Sequence, residues 1–191
     1  MGIQTGESLF SARQKCNHLL IVPSNHELYR NYSNKLYQLF TEYTDKIERF
    51  SIDECFLDMT DAIKTRQELR KIAEEINKRV KEHFKFTVNV GISTNKLLAK
   101  MASDFEKPDK IHTLYPEEIQ EKMWKLPASE LFMVGRRSIP KLQRMGIITI
   151  GDIATYDKRI LIKHFGKFGL TIWEYANGID KREVCYEPEE P

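Results

Sequence analysis

Ser51-Ile52-Asp53-Glu54-Cys55-Phe56-Leu57-Asp58 is the stretch from which the fold of this chain is read. Two adjacent carboxylates, Asp53 and Glu54, stand between the segments Ile47-Glu48-Arg49-Phe50-Ser51-Ile52 and Cys55-Phe56-Leu57. Each segment is short and bounded by polar residues, which predicts a pair of buried strands with the acidic pair at their junction. A half-buried carboxylate costs several kcal/mol unless it is paired or holds a cation. Hard divalent cations such as Mg²⁺ take carboxylate oxygens, so a metal site is one compensator. A solvated turn is the other reading of the same dipeptide.

Working outward, Asn25 to Asp45 predicts an amphipathic helix with Leu28, Tyr32, Leu36, Leu39, Phe40 and Tyr43 at helical spacing. Asp61 to Phe84 predicts a long helix with Leu69, Ile72, Ala73, Ile76, Val80 and Phe84 on one stripe. The alternation of Phe86 to Ser93 predicts a strand, Thr94 to Phe105 a helix capped by Ser93 or Thr94, and Ile111 to Tyr115 a closing strand. This order gives an α+β unit, an antiparallel or mixed sheet with helices on one face. From Pro116 the texture changes to short helical pieces punctuated by glycine, which predicts a second, all-helical domain of about 65 residues. The acidic, proline-containing end, Tyr186 to Pro191, reads as the start of a linker.

Composition narrows the function classes. The chain has 191 residues, 41% hydrophobic and 30% charged, as in an ordinary globular protein. Apolar runs such as Leu19-Leu20-Ile21-Val22 fall far short of the ~20 residues that span a bilayer. No basic region followed by an apolar stretch opens the chain, so neither a secretory signal nor a membrane partner is expected. Three cysteines without metal-type spacing predict reduced thiols and a cytoplasmic setting, and make zinc a poor candidate. The net charge of +2 conceals a local excess. Between Phe132 and Gly169 eight Lys or Arg stand against Asp152 and Asp157, a candidate footprint for nucleic acid as well as a solvated basic face.

Two further segments carry chemistry. Gly91-Ile92-Ser93-Thr94-Asn95-Lys96-Leu97-Leu98-Ala99-Lys100 runs from strand through turn into helix, and Lys107-Pro108 then interrupts that helix. Lys107 on a constrained loop can act as a point charge for a triphosphate. Val134-Gly135-Arg136-Arg137, followed by Lys141-Leu142-Gln143-Arg144-Met145-Gly146-Ile147, has the form of a helix-hairpin-helix. Gly135 and Gly146 permit tight turns whose amides can bind a DNA phosphate, with Arg136, Arg137 and Lys141 adding charge.

SIDECFLD, GISTNKLLAKMASDFEKP and VGRRSIPKLQRMGIITIGDIA, in this order, resemble a Y-family translesion DNA polymerase of the UmuC/ImpB/MucB/SamB-like branch. The resemblance covers essentially the whole chain. It implies residues 1–24 as a remnant of the fingers, 25–115 as the palm, 116–180 as the helix-hairpin-helix thumb and 181–191 as a linker toward an absent little-finger domain. It implies Asp53 and Glu54 as metal-binding catalytic carboxylates, with Ser51 in the same motif, and Lys107 as the lysine that contacts the incoming dNTP. Primer–template DNA is the implied partner and two Mg²⁺ ions the implied cofactor. Any sliding-clamp contact belongs to the region beyond the C-terminus. The family's other metal-binding Asp, on an N-terminal strand, has no counterpart here. Asp58 and Asp61 do not match it, so the chain reads as part of a polymerase roughly twice its length and weak or inactive alone. Two other classes remain open: a non-catalytic DNA-binding module with a vestigial metal site, and a different two-metal enzyme such as a nuclease or nucleotide cyclase.

Overall fold

The structure, a computed structural model, describes residues 1–186. Residues 187–191 of the expected linker lie outside the described residues. Helix α1 (Leu9–Lys15) is followed by α2 (His26–Phe40), whose first turn is closed by the Asn25 side chain accepting from the Leu28 amide at 3.0 Å. Strands β1 (Ile47–Arg49) and β2 (Cys55–Leu57) pair antiparallel, with Ile47 opposite Leu57 and Arg49 opposite Cys55. Helix α3 (Arg66–Phe84) begins five residues later than the expected start at Asp61. Thr65 and Glu68 form a reciprocal capping box there, which fixes the first turn at Arg66.

Strand β3 (Val90–Ile92), helix α4 (Lys96–Asp104) and strand β4 (Ile111–Thr113) follow, with β4 parallel to β3. Asn95 caps α4, its side chain accepting from the Leu98 amide at 2.9 Å. Ser93, one of the two predicted caps, instead donates to the Leu114 carbonyl. The single sheet expected from sequence is, among the described residues, two separate two-stranded ladders, one antiparallel and one parallel. The strand expected from Phe86 to Ser93 keeps only its second half. Phe86 and Val88 pack instead on Leu39, Ile76 and Val80 between α2 and α3, so their alternation is satisfied by a helix pair rather than a ladder.

From Pro116 the described chain is helical. Short 3₁₀ and π turns between Pro116 and Glu130 lead to α5 (Ile139–Arg144), α6 (Ile150–Thr155), α7 (Lys158–Phe165) and α8 (Lys167–Ala176). One core runs from Leu97, Leu98 and Met101 of α4 through Leu142, Ile153 and Leu161 to Ile172 and Tyr175. Helix α4 therefore shares its apolar face with the helical region across the change of texture at Pro116. The architecture is mixed α/β, with small sheets and many helices.

Two close approaches need glycine. A Cβ at Gly91 would lie 1.8 Å from the Ala99 carbonyl oxygen, and one at Gly169 would lie 2.2 Å from that of Leu161. Gly91 thus sets how near α4 sits to β3, and through α4 it sets the position of every charged side chain on that helix. Gly91→Ala is expected to lower stability by about 1–3 kcal/mol or more, because the added methyl meets backbone rather than a flexible side chain. A urea melt reads this as a lower midpoint; an unchanged midpoint would mean that α4 is seated more loosely on β3.

Candidate active site

The β1–β2 loop is closed by the amides of Phe50 and Ser51, which both donate to the Glu54 carbonyl at 3.0 Å. That closure puts Asp53 and Glu54 at the hairpin tip. Asp53 is exposed and accepts from the Ser51 hydroxyl at 2.7 Å. Glu54 is half-buried and accepts from the Lys100 ammonium. Lys100 also lies 3.0 Å from Asp104 Oδ2, while Lys107 Nζ lies 2.8 Å from Asp104 Oδ1. The acidic pair and the lysine of the Lys107-Pro108 turn are thereby joined by a run of alternating charge: Glu54, Lys100, Asp104, Lys107.

Helix geometry explains the run. Lys96, Lys100 and Asp104 are spaced at i, i+4 and i+8, so they share one face of α4. That face meets the hairpin. Lys96, only 7% exposed, donates to Glu48 Oε2 at 2.6 Å, and the Cys185 amide donates to the same oxygen at 2.7 Å. Burial alone would raise the Glu48 pKa, but Lys96 and the Cys185 amide outweigh it and hold the carboxyl below its ordinary range. Burial would lower the Lys100 pKa and raise that of Asp104. Hydrogen bonds to carboxylates win for Lys100, which is raised, and hydrogen bonds from Lys107 and Lys100 win for Asp104, which is lowered. Burial pushes the Cys55 thiol up to about 12, so it is no nucleophile near neutral pH.

The donor set suits a hard cation in part. Asp53 and Glu54 offer the carboxylate oxygens that Mg²⁺ takes, and Asp53 is open to solvent. Glu54, however, is shared with Lys100, and among the described residues no three His, Cys, Asp or Glu side chains gather into a metal cage. The pair supplies part of one cation's shell, and a two-ion cage is not completed by these residues. A cavity of about 450 Å³ beside α3, lined by Asn77, Lys78, Lys81 and Asp109 among others, contains none of the expected site residues. The acidic tip is a surface site.

The expected DNA-binding residues gather around α5. Gly135, Arg136 and Arg137 precede it and are exposed, Lys141 is on it, and Gly146 follows it with φ +79°, a left-handed turn open to solvent. Lys141 is the exception to free basic charge, because its ammonium donates to the His164 carbonyl and lies 4.7 Å from the centre of the Phe165 ring. Phe132, three residues before Gly135, packs against Phe50 at 6.0 Å between ring centres, which ties this region to the hairpin base.

Comparison with known proteins gives the family. The family model described as the impB/mucB/samB family matches residues 1–104. The chain belongs to that family. It is similar to DNA polymerase IV of Clostridium acetobutylicum, 50% identical over 183 residues, which cover 96% of this chain and 46% of the relative. DNA polymerase IV of Escherichia coli O157:H7 is 36% identical over 186 residues, 97% of this chain and 53% of that one. Among solved structures, DinB from Sulfolobus solfataricus superposes with a TM-score of 0.87 at 30% identity, covering 96% of this chain and 54% of that one. The insertion ternary complex of Dbh DNA polymerase gives a TM-score of 0.86 at 29% identity, covering 96% of this chain and 54% of that one. The chain spans about half the length of the curated relatives it matches. No helix among the described residues is long and apolar enough to cross a membrane.

Sequence reasoning gave Lys96, Lys100 and Asp104 no role. The available signal was their shared face on a helix whose other face is apolar, a helix that has to be covered on both sides. Asp104, held low by its two lysines, contributes stability that is present above the ordinary Asp value and lost as pH falls through its lowered native value. Lys107→Ala is therefore expected to move the Asp104 titration upward and acid unfolding to higher pH. Carboxyl-carbon NMR and pH melts read the two, and an unmoved Asp104 titration would show that Lys107 does not hold it.

Proposed function

We propose that this chain is the palm-and-thumb part of a template-directed DNA polymerase of the translesion type, adding dNTPs to a primer 3′-hydroxyl. The observation that carries the reading is the acidic pair at a hairpin tip, charge-linked through α4 to Lys107, in a chain of this family. The proposed division is 1–24 fingers remnant, 25–115 palm and 116–180 thumb. The shared core of α4 with α5–α8 gives palm and thumb a common seat.

In this reading Asp53 and Glu54 hold Mg²⁺, and Asp53 is the ready ligand because its carboxylate faces solvent. Divalent-cation chemistry there supplies activation of the primer hydroxyl and neutralisation of the pyrophosphate that leaves. Ser51 orients Asp53 through its 2.7 Å hydrogen bond. Lys107, whose side chain is 57% exposed, presents its ammonium to the triphosphate of the incoming dNTP. Arg136 and Arg137 meet the phosphates of primer–template DNA at a helix-hairpin-helix built from the turns on either side of α5. Exposed guanidinium groups lose little in making such contacts and add affinity that salt weakens.

Three measurements test this. Mn²⁺ binding followed by electron paramagnetic resonance is expected to weaken about tenfold or more in Asp53→Ala. Primer extension with Mg²⁺ or Mn²⁺, if the chain supports any, is expected to vanish in the same variant. Arg136→Ala with Arg137→Ala is expected to weaken duplex binding and flatten its salt dependence by about one to two ions. Salt-dependent duplex binding with no cation bound at Asp53 would overturn the catalytic reading in favour of a DNA-binding module. Degradation of the primer, or a cyclic nucleotide formed without template, would overturn it in favour of another two-metal enzyme.

A further inference from the structure

The geometry points to Lys100 and Asp104 as a pair of positioning residues: Lys100 occupies Glu54 while no cation is bound, and Asp104 is the standby partner that takes the lysine when a divalent cation claims Glu54. The inference rests on the proposed role of the acidic tip and adds a device to it.

Lys100 is poorly solvated, with a side chain 15% exposed, and among the described residues it has two carboxylate partners, Glu54 and Asp104. A lysine in that position with a single partner could not give it up, because an ammonium left unpaired there costs several kcal/mol. With two partners it can release one and remain neutralised. Glu54 needs such a release. A carboxylate oxygen bound by an ammonium is a poor ligand for a dication, both by direct competition for the lone pairs and by repulsion between like charges a few ångströms apart. Asp104 is placed for the exchange by the helix itself, one turn after Lys100 on the same face.

The second partner of Asp104 extends the consequence. Lys107 lies 2.8 Å from Asp104 Oδ1 and is the more exposed of the two lysines, 57% against 15%. When Lys100 gives Glu54 up, Asp104 is its remaining carboxylate among the described residues and is held more strongly by the poorly solvated lysine. Lys107 loses that share and is the one that can turn to solvent. Occupation of the acidic tip by a cation and liberation of Lys107 are then two ends of one exchange.

The neighbouring ion pair marks the contrast. Lys96 has Glu48 as its one carboxylate partner among the described residues, is 7% exposed, and Glu48 is also held by the Cys185 amide. It is a fixed brace. Lys100, one turn along the same helix, is built to change partners.

The test is a cycle of variants read by Mn²⁺ affinity in electron paramagnetic resonance, with Asp53→Ala identifying the signal from the acidic tip. Lys100→Met, which keeps the straight chain and removes the charge, is expected to tighten binding about tenfold. Asp104→Asn is expected to weaken it several-fold, since among the described residues Lys100 then has only Glu54. In the Lys100→Met background Asp104→Asn is expected to change little. A plain field effect of the Asp104 charge would weaken binding equally in both backgrounds, which overturns the exchange. So would weaker binding in Lys100→Met whose chemical shifts show an intact fold. If Asp53→Ala leaves the Mn²⁺ signal unchanged, the acidic tip is not the site, and the exchange falls with the reading on which it rests. Loss of binding in Asp53→Ala without the opposite signs at Lys100 and Asp104 removes the exchange alone.

Discussion

Two poorly solvated lysines on one face of α4 hold the acidic hairpin to the rest of the molecule. Lys96 takes Glu48 from the body of the hairpin, and Lys100 takes Glu54 from its tip. An unpaired charge at either place costs several kcal/mol, so the two contacts demand each other's geometry far more strictly than apolar packing would. The hairpin is only three residues a side, and a two-stranded ladder of that length has little stability of its own. Its position is therefore set by α4. The position of α4 is set in turn by Gly91, where nothing larger than hydrogen fits beneath the Ala99 carbonyl. A glycine, a helix and two lysines thus fix where the carboxylates of the tip stand.

The same helix faces the other way with Leu97, Leu98 and Met101, all buried in the core shared with α5–α8. One element carries the charged face that locates the acidic tip and the apolar face that locates the helical region. Two smaller links reinforce this. The Asn95 side chain donates to the Gly178 carbonyl at 2.9 Å, and Asp180 accepts from the Leu97 amide at 3.2 Å, so the chain leaving α8 returns to the start of α4. Phe50 and Phe132 join the hairpin base to the segment before Gly135. The acidic tip and the exposed Arg136 and Arg137 are thus carried on one packed framework.

Much of this was legible in the sequence because it rests on local rules. The junction of two short strands gave the hairpin and put Asp53 and Glu54 at its tip, and the helical stripes gave α2, α3 and α4 within a few residues. The errors have physical causes. Phe86 and Val88 alternate as a strand does, yet pack between two helices, since alternation reports burial rather than pairing. Thr65 with Glu68 and the side chain of Asn95 set helix starts that a hydrophobic stripe does not see. The ion pairs of Lys96 and Lys100 span 48 and 46 positions of sequence, and no local pattern announces a partner at that distance. Lys141 read as a free cation because its ties, to His164 and Phe165, form only when α7 is folded against α5.

Asp53, Glu54 and Asp104 carry three negative charges near the tip, against two positive ones on Lys100 and Lys107, a balance of −1. A cluster so nearly neutral needs no cation in order to fold. It is also poorly balanced for a dication alone, since the sum then becomes +1 with two ammonium groups close by. A polyanion arriving with the cation removes that excess and gives Lys107 a partner in place of Asp104. In the proposed reaction the divalent cation and the triphosphate therefore favour each other's binding by charge alone, before any coordination between them is considered. In that reading the lysines that pair with Glu54 and Asp104 also suit the tip to binding the two together.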